Sequence, residues 1–319
     1  MEQPPAPARA TLRAGIVQHR SSDSLDLDPF YDHVLAGLEE TLDAHGASVL
    51  VLFEESAQAE LDVYRRWAQD AIVDAVVLTD LVDGDERIGA CRRAGLPAYA
   101  LCPAPPDGLP AVVVDDADAM RRAIGYLAGL GHVHVARVSG PSAFLHTRAR
   151  EAAFDEVVAA RGLRATTVEG DYGTASGTEA TRRLLDADDP PTAVVYDNDL
   201  MAVGGLRAAR ALGLAVPGDV SLLAWDDSAH CRLADPPLSA VSRDVRGLGA
   251  ELGGLLLRAA ADGVPAAGDA PDALLAPPAR VVGRASTGPA PARRDAGPRP
   301  RDGGPASNGA EGVRRAPSP

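Results

Sequence analysis

The chain has 319 residues, a formal net charge of −14 and a composition that is 46% hydrophobic and 24% charged, as in ordinary soluble globular proteins. The acidic balance argues against a general nucleic-acid surface, because phosphate binding needs clustered positive charge. The N-terminus has no apolar signal core, no apolar run reaches the roughly 18 residues of a membrane span, and the three cysteines form no C-x-x-C pair. The sequence therefore predicts a cytoplasmic protein with free thiols.

Short apolar strands alternate with amphipathic helices along the first third of the chain. A strand over 14–17 leads to a helix over 29–45, whose start is indicated by Asp28 as a capping residue and Pro29 at the first helical position. The elements expected next are strand 48–53, helix 61–72, strand 75–79, a helix ending at Gly95 and strand 97–102. Strands that are apolar throughout and separated by helices indicate a parallel sheet covered on both faces.

A second series of the same kind follows, with strands over 111–114, 133–138, 165–169, 192–196 and 220–225. Two series predict two doubly wound α/β lobes with a cleft between them. A helix over 245–261 and the short strand RVVGR (280–284) come after the second series and could return to either lobe. Both ends of the chain, 1–11 and 289–319, are poor in large apolar residues, and we expect them to be disordered.

Polar side chains stand where several of the predicted strands end. They are Asp115, Asp116, Ser139, Asp197, Asn198, Asp199, Asp226 and Asp227, with Arg148 and Arg150 on one following helix and Tyr172 after another strand. Ligands of open α/β sheets bind beyond the carboxyl ends of the strands. Carboxylates, a carboxamide, arginines and an aromatic ring suit a polar, polyhydroxylated small molecule.

Each of these residues also has a structural interpretation. Asp199 or Asn198 could cap the helix that follows, which explains one polar residue there but hardly three in succession. Asp226 and Asp227 could be turn residues. Taken together at neighbouring strand ends, the set favours a binding site. The sequence contains no G-x-S-x-G elbow, P-loop or H-E-x-x-H motif, so we expect no enzyme, no cofactor and no metal ion.

Eight stretches between Ala14 and Gly288 carry a family resemblance. In order, they read DPFYDHVLAGLEETLDAHG, VDAVVLTD, AMRRAIGYLAGLGHVHVARVSGP, RAREAAFDEVVAARGL, VEGDYGTASGTEATRRLL, PPTAVVYDNDLMAVGGLRAARALGLAVPGDVSLLAWDD, PPLSAV and VVGRASTGP. Any one of them is weak, whereas the ordered set is specific. The chain resembles the effector-binding portion of the LacI/GalR family of bacterial transcriptional regulators.

The resemblance implies the type I periplasmic-binding-protein-like fold, an α/β architecture of two parallel-sheet lobes joined by three crossovers. It implies an N-terminal lobe of 12–114 plus 240–266 and a C-terminal lobe of 115–239 plus 278–288. The helix over 245–261 would then pack on the first lobe, and RVVGR would return to the second.

The resemblance also implies a function. We expect a metabolite-sensing transcriptional regulator that binds a sugar, nucleoside or related metabolite between its lobes and acts as a homodimer. A solute-binding protein of a transporter and a stand-alone sensor are the alternatives. Family members begin with a helix-turn-helix segment that enters the DNA grooves. We expect that this chain lacks such a head, that contact with operator DNA is made only through one, and that the chain makes no contact with a membrane.

Seven residues are the candidate effector-binding residues: Phe30, Arg148, Arg150, Tyr172, Asn198, Trp225 and Asp226. The resemblance implies that Phe30 lines the first-lobe wall, Tyr172 stacks on the effector, and Asn198 and Asp226 form hydrogen bonds to it. Asp199 is expected to hold the start of its helix, and Asp197 has no assigned role. Asp28 and Trp225 depart from the family pattern, which leaves the identity of the effector open.

Overall fold

The computed structural model describes residues 12–19, 29–262 and 273–292 of the chain. The expected disorder of 1–11, the capping role of Asp28 and most of the C-terminal tail lie outside these residues. Within them, no helix combines the length and the apolar character needed to span a membrane. The tail that was expected to be disordered from residue 289 is still bound at Ala290, whose N–H donates to the carbonyl of Leu130 at 2.8 Å.

The first lobe contains one parallel sheet covered by helices on both faces. Its strands are β1 (Arg13–His19), β2 (Ser48–Glu54), β3 (Ala75–Leu78), β4 (Ala98–Cys102), β5 (Ala111–Val113) and β11 (Ala273–Leu275). Its helices are α1 (Pro29–Asp43), α2 (Ala57–Gln69), α3 (Glu86–Ala94) and α9 (Val245–Asp262). The strand order is β2-β1-β3-β4-β5-β11.

Neighbouring strand residues of the first lobe point to opposite faces, and both faces are buried. Ile16 belongs to the apolar cluster under α1 and α9, while Val17 belongs to the cluster under α2 and α3. In the same way, Val77 belongs to the cluster under α1 and α9, and Val76 to the cluster under α2 and α3. This explains why the strands read as continuous apolar runs, since a parallel sheet between two helix layers has no solvent face.

The second lobe repeats this arrangement. Its strands are β6 (His134–Ser139), β7 (Arg164–Glu169), β8 (Ala193–Tyr196), β9 (Ser221–Trp225), β10 (Ser239–Ser242) and β12 (Arg280–Val282). Its helices are α4 (Asp116–Gly129), α5 (Leu145–Arg161), α6 (Thr174–Leu185), α7 (Asp199–Ala211) and α8 (Ala229–Leu233). The order is β7-β6-β8-β9-β10-β12, and only β12 runs antiparallel among these strands.

The chain crosses between the lobes three times, after β5, after β10 and after β11. One expectation about the second strand series and one about the crossings are wrong. The strand over 111–114 does not open the second series, because β5 pairs with β4 in the first sheet. The return to the first lobe does not begin at residue 240, because Ala240 pairs with Ala224 of β9 and the chain leaves the second sheet only after Ser242. Strand β11 was not predicted.

Helix α9 approaches α1 closely because glycines form the contact. A Cβ at Gly249 would lie 1.9 Å from the carbonyl oxygen of Val34, and a Cβ at Gly37 would lie 1.9 Å from that of Arg246. Leu38 and Leu252 are fully buried in the same cluster. The small residues therefore fix the late helix onto the first lobe, as the resemblance implied.

We expect Gly249→Ala to lower the free energy of unfolding by about 1 to 3 kcal/mol, because the added methyl group forces the two backbones apart. Gly254→Ala on the same helix is the matched control. Its Cβ would meet only the flexible end of Arg258, at 3.3 Å. Helix propensity should then leave stability unchanged or raise it by up to about 1 kcal/mol. Urea denaturation measures both, and equal stabilities would contradict the close α1–α9 contact.

Candidate functional site

A cleft of about 630 Å³, counting the space open to solvent, lies between the two lobes. The first lobe contributes Phe30, Tyr31, Thr79, Asp80, Leu101, Cys102 and Val114. The second contributes Asp116, His146, Arg150, Tyr172, Asp197, Asn198 and Asp226, with Arg243 from the second crossing. The polar residues among them come mainly from loops at the carboxyl ends of strands, where open α/β sheets bind ligands.

Three of the lining residues have a left-handed backbone, which is uncommon for residues other than glycine. The φ angle is 50° at Asp80, 69° at Tyr172 and 71° at Asp226. Asp80 follows β3, Tyr172 follows β7 and Asp226 follows β9. Such conformations cost about 1 to 3 kcal/mol each and concentrate at functional sites. These backbone conformations lower the stability of the fold, and all three residues line the same cleft.

Arg150 of α5 is fixed by three neighbouring residues of the second lobe. Its Nε and Nη2 both lie 2.9 Å from Asp116 Oδ1, and Nη1 donates to the main-chain oxygen of Asp197 at 2.8 Å. Its guanidinium carbon lies 4.3 Å from the ring centroid of Trp225. Burial alone would lower the pKa of Arg150, but Asp116 and Asp197 hold it above its ordinary value. Arg150 is therefore a permanent, preoriented cation.

Arg243, which the sequence interpretation missed, lies on the second crossing and completes the network. Its Nη2 lies 3.1 Å from Asp116 Oδ1, and its Nε lies 3.6 Å from Asp226 Oδ1. Burial would raise the pKa of Asp116, yet Arg150 and Arg243 hold it below its ordinary value. Asp116 begins α4 directly after the first crossing, so its pair with Arg243 joins two crossings. The signal available in the sequence was a charged residue directly after strand β10.

An aromatic wall covers one side of the cleft in the second lobe. The rings of Tyr172 and Phe144 are nearly parallel, at 8°, with centroids 6.5 Å apart. His146 Nε2 lies 2.7 Å from the hydroxyl oxygen of Tyr172. Gly140 makes room for the wall, since a Cβ there would lie 2.0 Å from that hydroxyl oxygen. Burial first, and Arg150 second, lower the pKa of His146, so its imidazole is neutral at neutral pH.

The three polar residues that follow β8 differ in their contacts. Asp197 accepts from Nε and Nη2 of Arg137 at 2.9 and 2.6 Å, and both side chains are fully buried. Asn198 caps α7, because its Oδ1 accepts from the N–H of Met201 at 2.9 Å. Its Nδ2 donates to the carbonyl of Tyr172 at 2.8 Å. The expectation that Asp199 holds the helix start is therefore wrong, and burial raises the pKa of Asp199.

Five of the seven predicted site residues line the cleft: Phe30, Arg150, Tyr172, Asn198 and Asp226. The other two do not. Trp225 is fully buried beneath Arg150, where it supports the guanidinium. Arg148 forms an ion pair with Asp83, with side chains 51% and 69% exposed. Positions two apart on a helix point to different sides, which separates Arg148 from Arg150.

The loop after β3 meets the start of α5 beside the cleft, so that the two lobes touch. The N–H of Leu145 donates to the carbonyl of Leu81 at 2.8 Å. Val82 and Phe144 form an isolated antiparallel bridge. Arg148 of the second lobe pairs with Asp83 of the first at the same place. Arg148 therefore contacts the opposite lobe.

Comparison with known proteins agrees with this fold. The family described as "Periplasmic binding protein-like domain" matches residues 124–287. The HTH-type transcriptional regulator AglR of Rhizobium meliloti is 30% identical over 277 residues, which cover 84% of this chain and 76% of AglR. This chain belongs to the LacI family of transcriptional regulators. The predicted family and the predicted two-lobed fold are confirmed.

Solved structures of LacI-family regulators superpose on most of the chain. The crystal structure of a LacI-family transcriptional regulator from Bifidobacterium animalis subsp. lactis has a TM-score of 0.78 and 35% identity, covering 87% of this chain and 98% of that one. A complex of the transcriptional regulator CelR with cellobiose has a TM-score of 0.78 and 26% identity, covering 88% of this chain and 86% of that one. LacI-family proteins are regulators and not enzymes, in agreement with the sequence interpretation.

We expect Asp197→Ala to lower the free energy of unfolding by about 3 to 5 kcal/mol, because it leaves Arg137 as a buried charge without its partner. Asp189→Ala is the control, since it removes the partner of Arg164 from a pair whose side chains are 65% and 50% exposed. Exposed pairs contribute about 0 to 1 kcal/mol. Chemical denaturation of both variants measures the difference, and similar losses would show that the Arg137 pair has no special structural role.

Proposed function

We propose that this LacI-family chain binds a small, polar, polyhydroxylated effector in the cleft between its lobes, with a sugar as the first candidate. The observation that carries the proposal is the convergence of Asp80, Tyr172 and Asp226 on one cleft, each with a left-handed backbone. A fold that needed only stability would not place three such residues together. The cellobiose held by CelR supports a sugar as the ligand class.

The lining groups match the hydrogen-bonding pattern of a sugar. Carboxylate oxygens of Asp80 and Asp226 accept from hydroxyl groups, and the guanidinium of Arg243 donates to hydroxyl oxygens. The ring of Tyr172 and the side chain of Phe30 offer apolar cover for the faces of the sugar ring. We assign the contacts with the effector to these residues and to Arg150 and Asn198. We assign Trp225 to supporting Arg150 and Arg148 to holding the lobes together.

Effector binding would change the relative orientation of the lobes. A ligand that contacts both lobes stabilises the lobe orientation in which it can contact both at once. Ligand binding therefore increases the population of that orientation. Asp226 lies beside Arg243, and Arg243 binds Asp116 at the first crossing. A hydrogen bond from the effector to Asp226 therefore acts directly on the residues that join two crossings. Through them the state of the cleft would reach the rest of the regulator and operator DNA.

A thermal-shift screen against sugars, polyols and nucleosides tests the proposal, because a ligand that binds the folded state raises the melting temperature. We expect Asp226→Ala to weaken the binding of any hit by about 10- to 100-fold, as the loss of a charge-assisted hydrogen bond would. Arg148→Ala should change the affinity by less than about fivefold, since an exposed pair contributes little. Equal effects of the two substitutions in calorimetry would refute the assignment of the site.

We also propose that the chain acts in the cytoplasm as a homodimer, since symmetric dimers are the commonest soluble oligomers and operators of such regulators are read by paired heads. Sedimentation equilibrium at micromolar concentration should give a mass of twice 32.9 kDa. A single monomeric species across the accessible concentration range would contradict this assignment.

A further inference from the structure

The acidic and basic groups on the second-lobe side of the cleft balance one another. Asp197 is paired with Arg137, and Asp116 is paired with both Arg150 and Arg243. The carboxylate of Asp226 lies 3.6 Å from Arg243. Each arginine in this set is thus already committed to a carboxylate of the protein. Among the described residues of this wall, every arginine has a carboxylate of the protein as its ion-pair partner.

Asp80 also lines the cleft, but its carboxylate is not part of these arginine–carboxylate pairs. It accepts a hydrogen bond from the hydroxyl of Tyr31, and its Oδ1 lies 3.9 Å from Nδ1 of His146 in the opposite lobe. His146 is neutral in its buried environment, so this contact does not cancel the charge. Among the residues that the structure describes, no arginine lies within ion-pair distance of the Asp80 carboxylate. The side chain is 34% exposed, at the surface of the cleft.

Arg87 contacts the main chain at Asp80 and pairs with other carboxylates. Nη2 of Arg87 donates to the main-chain oxygens of Thr79 and Asp80, at 2.9 and 3.2 Å. The charge of Arg87 is matched by Asp85 at 2.6 Å and Glu60 at 3.2 Å. Arg87 therefore fixes the backbone from which Asp80 projects without neutralising its side chain. The left-handed φ of 50° at Asp80 belongs to the same fixed turn.

We propose that Asp80 sets the charge class of the effector, so that the cleft accepts an uncharged or cationic polyhydroxylated molecule and rejects phosphorylated or carboxylated sugars. This inference rests on the proposed function of the cleft. A phosphate or carboxylate group would lose water on entry, find every lining arginine already paired and face the charge of Asp80. A hydroxyl group meets no such penalty and can donate to the same carboxylate.

The test compares matched pairs of ligands on three proteins by isothermal titration calorimetry. The probes are glucose, cellobiose and maltose, each beside its 6-phosphate, with glucuronate and glucosamine as the carboxylated and cationic members. The proteins are wild type, Asp80→Asn and Asp83→Asn. Asparagine tolerates the left-handed backbone and can still accept from Tyr31, so Asp80→Asn should fold. Asp83 lies on the same loop, is 69% exposed and pairs with Arg148 outside the cleft.

We expect the wild type to bind a neutral sugar at least about 100-fold more tightly than its phosphate, a difference of about 2.7 kcal/mol. Asp80→Asn should reduce that ratio at least about tenfold, while Asp83→Asn leaves it unchanged even if it shifts both affinities. Added salt should also reduce the wild-type ratio. A ratio, unlike a single affinity, does not respond to a merely structural change at residue 80.

Two results would overturn the inference while leaving the proposed function intact. One is tighter binding of a phosphorylated or carboxylated sugar than of its neutral parent by the wild type. The other is an equal change of the ratio in Asp80→Asn and Asp83→Asn. If the proposed function itself is wrong, no member of the panel, neutral or charged, binds to any of the three proteins. That result would refute the inference as well.

Discussion

The network formed by Asp116, Arg150 and Arg243 over the ring of Trp225 is the interaction on which the cleft depends. Asp116 lies at the first crossing and Arg243 at the second, while Arg150 comes from α5 and Trp225 ends β9. Charges buried this deeply are tolerated only when they are paired with good geometry, so the four residues must keep their mutual positions. The network thereby holds two crossings, one helix and one strand end in a single arrangement around the ligand space.

The contacts that close the lobes are much weaker than this network. They include one exposed ion pair, Arg148 with Asp83, the isolated bridge of Val82 and Phe144 with its main-chain hydrogen bond from Leu145 to Leu81, and the 3.9 Å approach of Asp80 to His146. An exposed pair contributes about 0 to 1 kcal/mol, and a hydrogen bond about 0.5 to 1.5 kcal/mol. A ligand that makes a few hydrogen bonds to both walls can therefore decide whether the lobes stay together. Strong bonds at the crossings and weak bonds at the closing contact are what a two-state lobe movement requires.

Sequence patterns predicted the two sheets and the polar residues at the strand ends, because these depend on local signals, whereas the family and the place of Phe30 came from the family resemblance. Apolar runs identified the strands, and residues at strand ends are placed by the topology of parallel sheets. Strand β11 was not predicted, because a strand of three residues is too short to show an apolar periodicity. Asn198 caps α7 because of its backbone angles. With Asp197 and Asp199 on either side, the sequence alone does not show which of the three residues is the cap.

The role of Arg243 was beyond the reach of sequence patterns for a different reason. Its partner Asp116 is 127 residues away in the chain. Nothing local distinguishes an arginine that will join two crossings from one that will face solvent. The same holds for Arg148 and Arg150, of which one is exposed at the lobe contact and the other buried in the cleft. The pairing of charges is a tertiary property, and it decides both the rigidity of the second-lobe wall and the fact that each of its described arginines has a carboxylate partner.

In the proposed closing movement, the distribution of charge between the lobes also affects which effectors bind. The balanced pairs all lie on the second-lobe side, whereas Asp80 belongs to the first lobe, 3.9 Å from His146. When the lobes are apart, water screens Asp80 from a ligand on the opposite wall. When they meet, the carboxylate and the ligand share a space from which water is displaced, and their interaction strengthens as the effective dielectric constant falls. Charge selection and lobe closure are therefore coupled: a neutral sugar gains a hydrogen bond as the lobes approach, and an anion is repelled most in the closed arrangement.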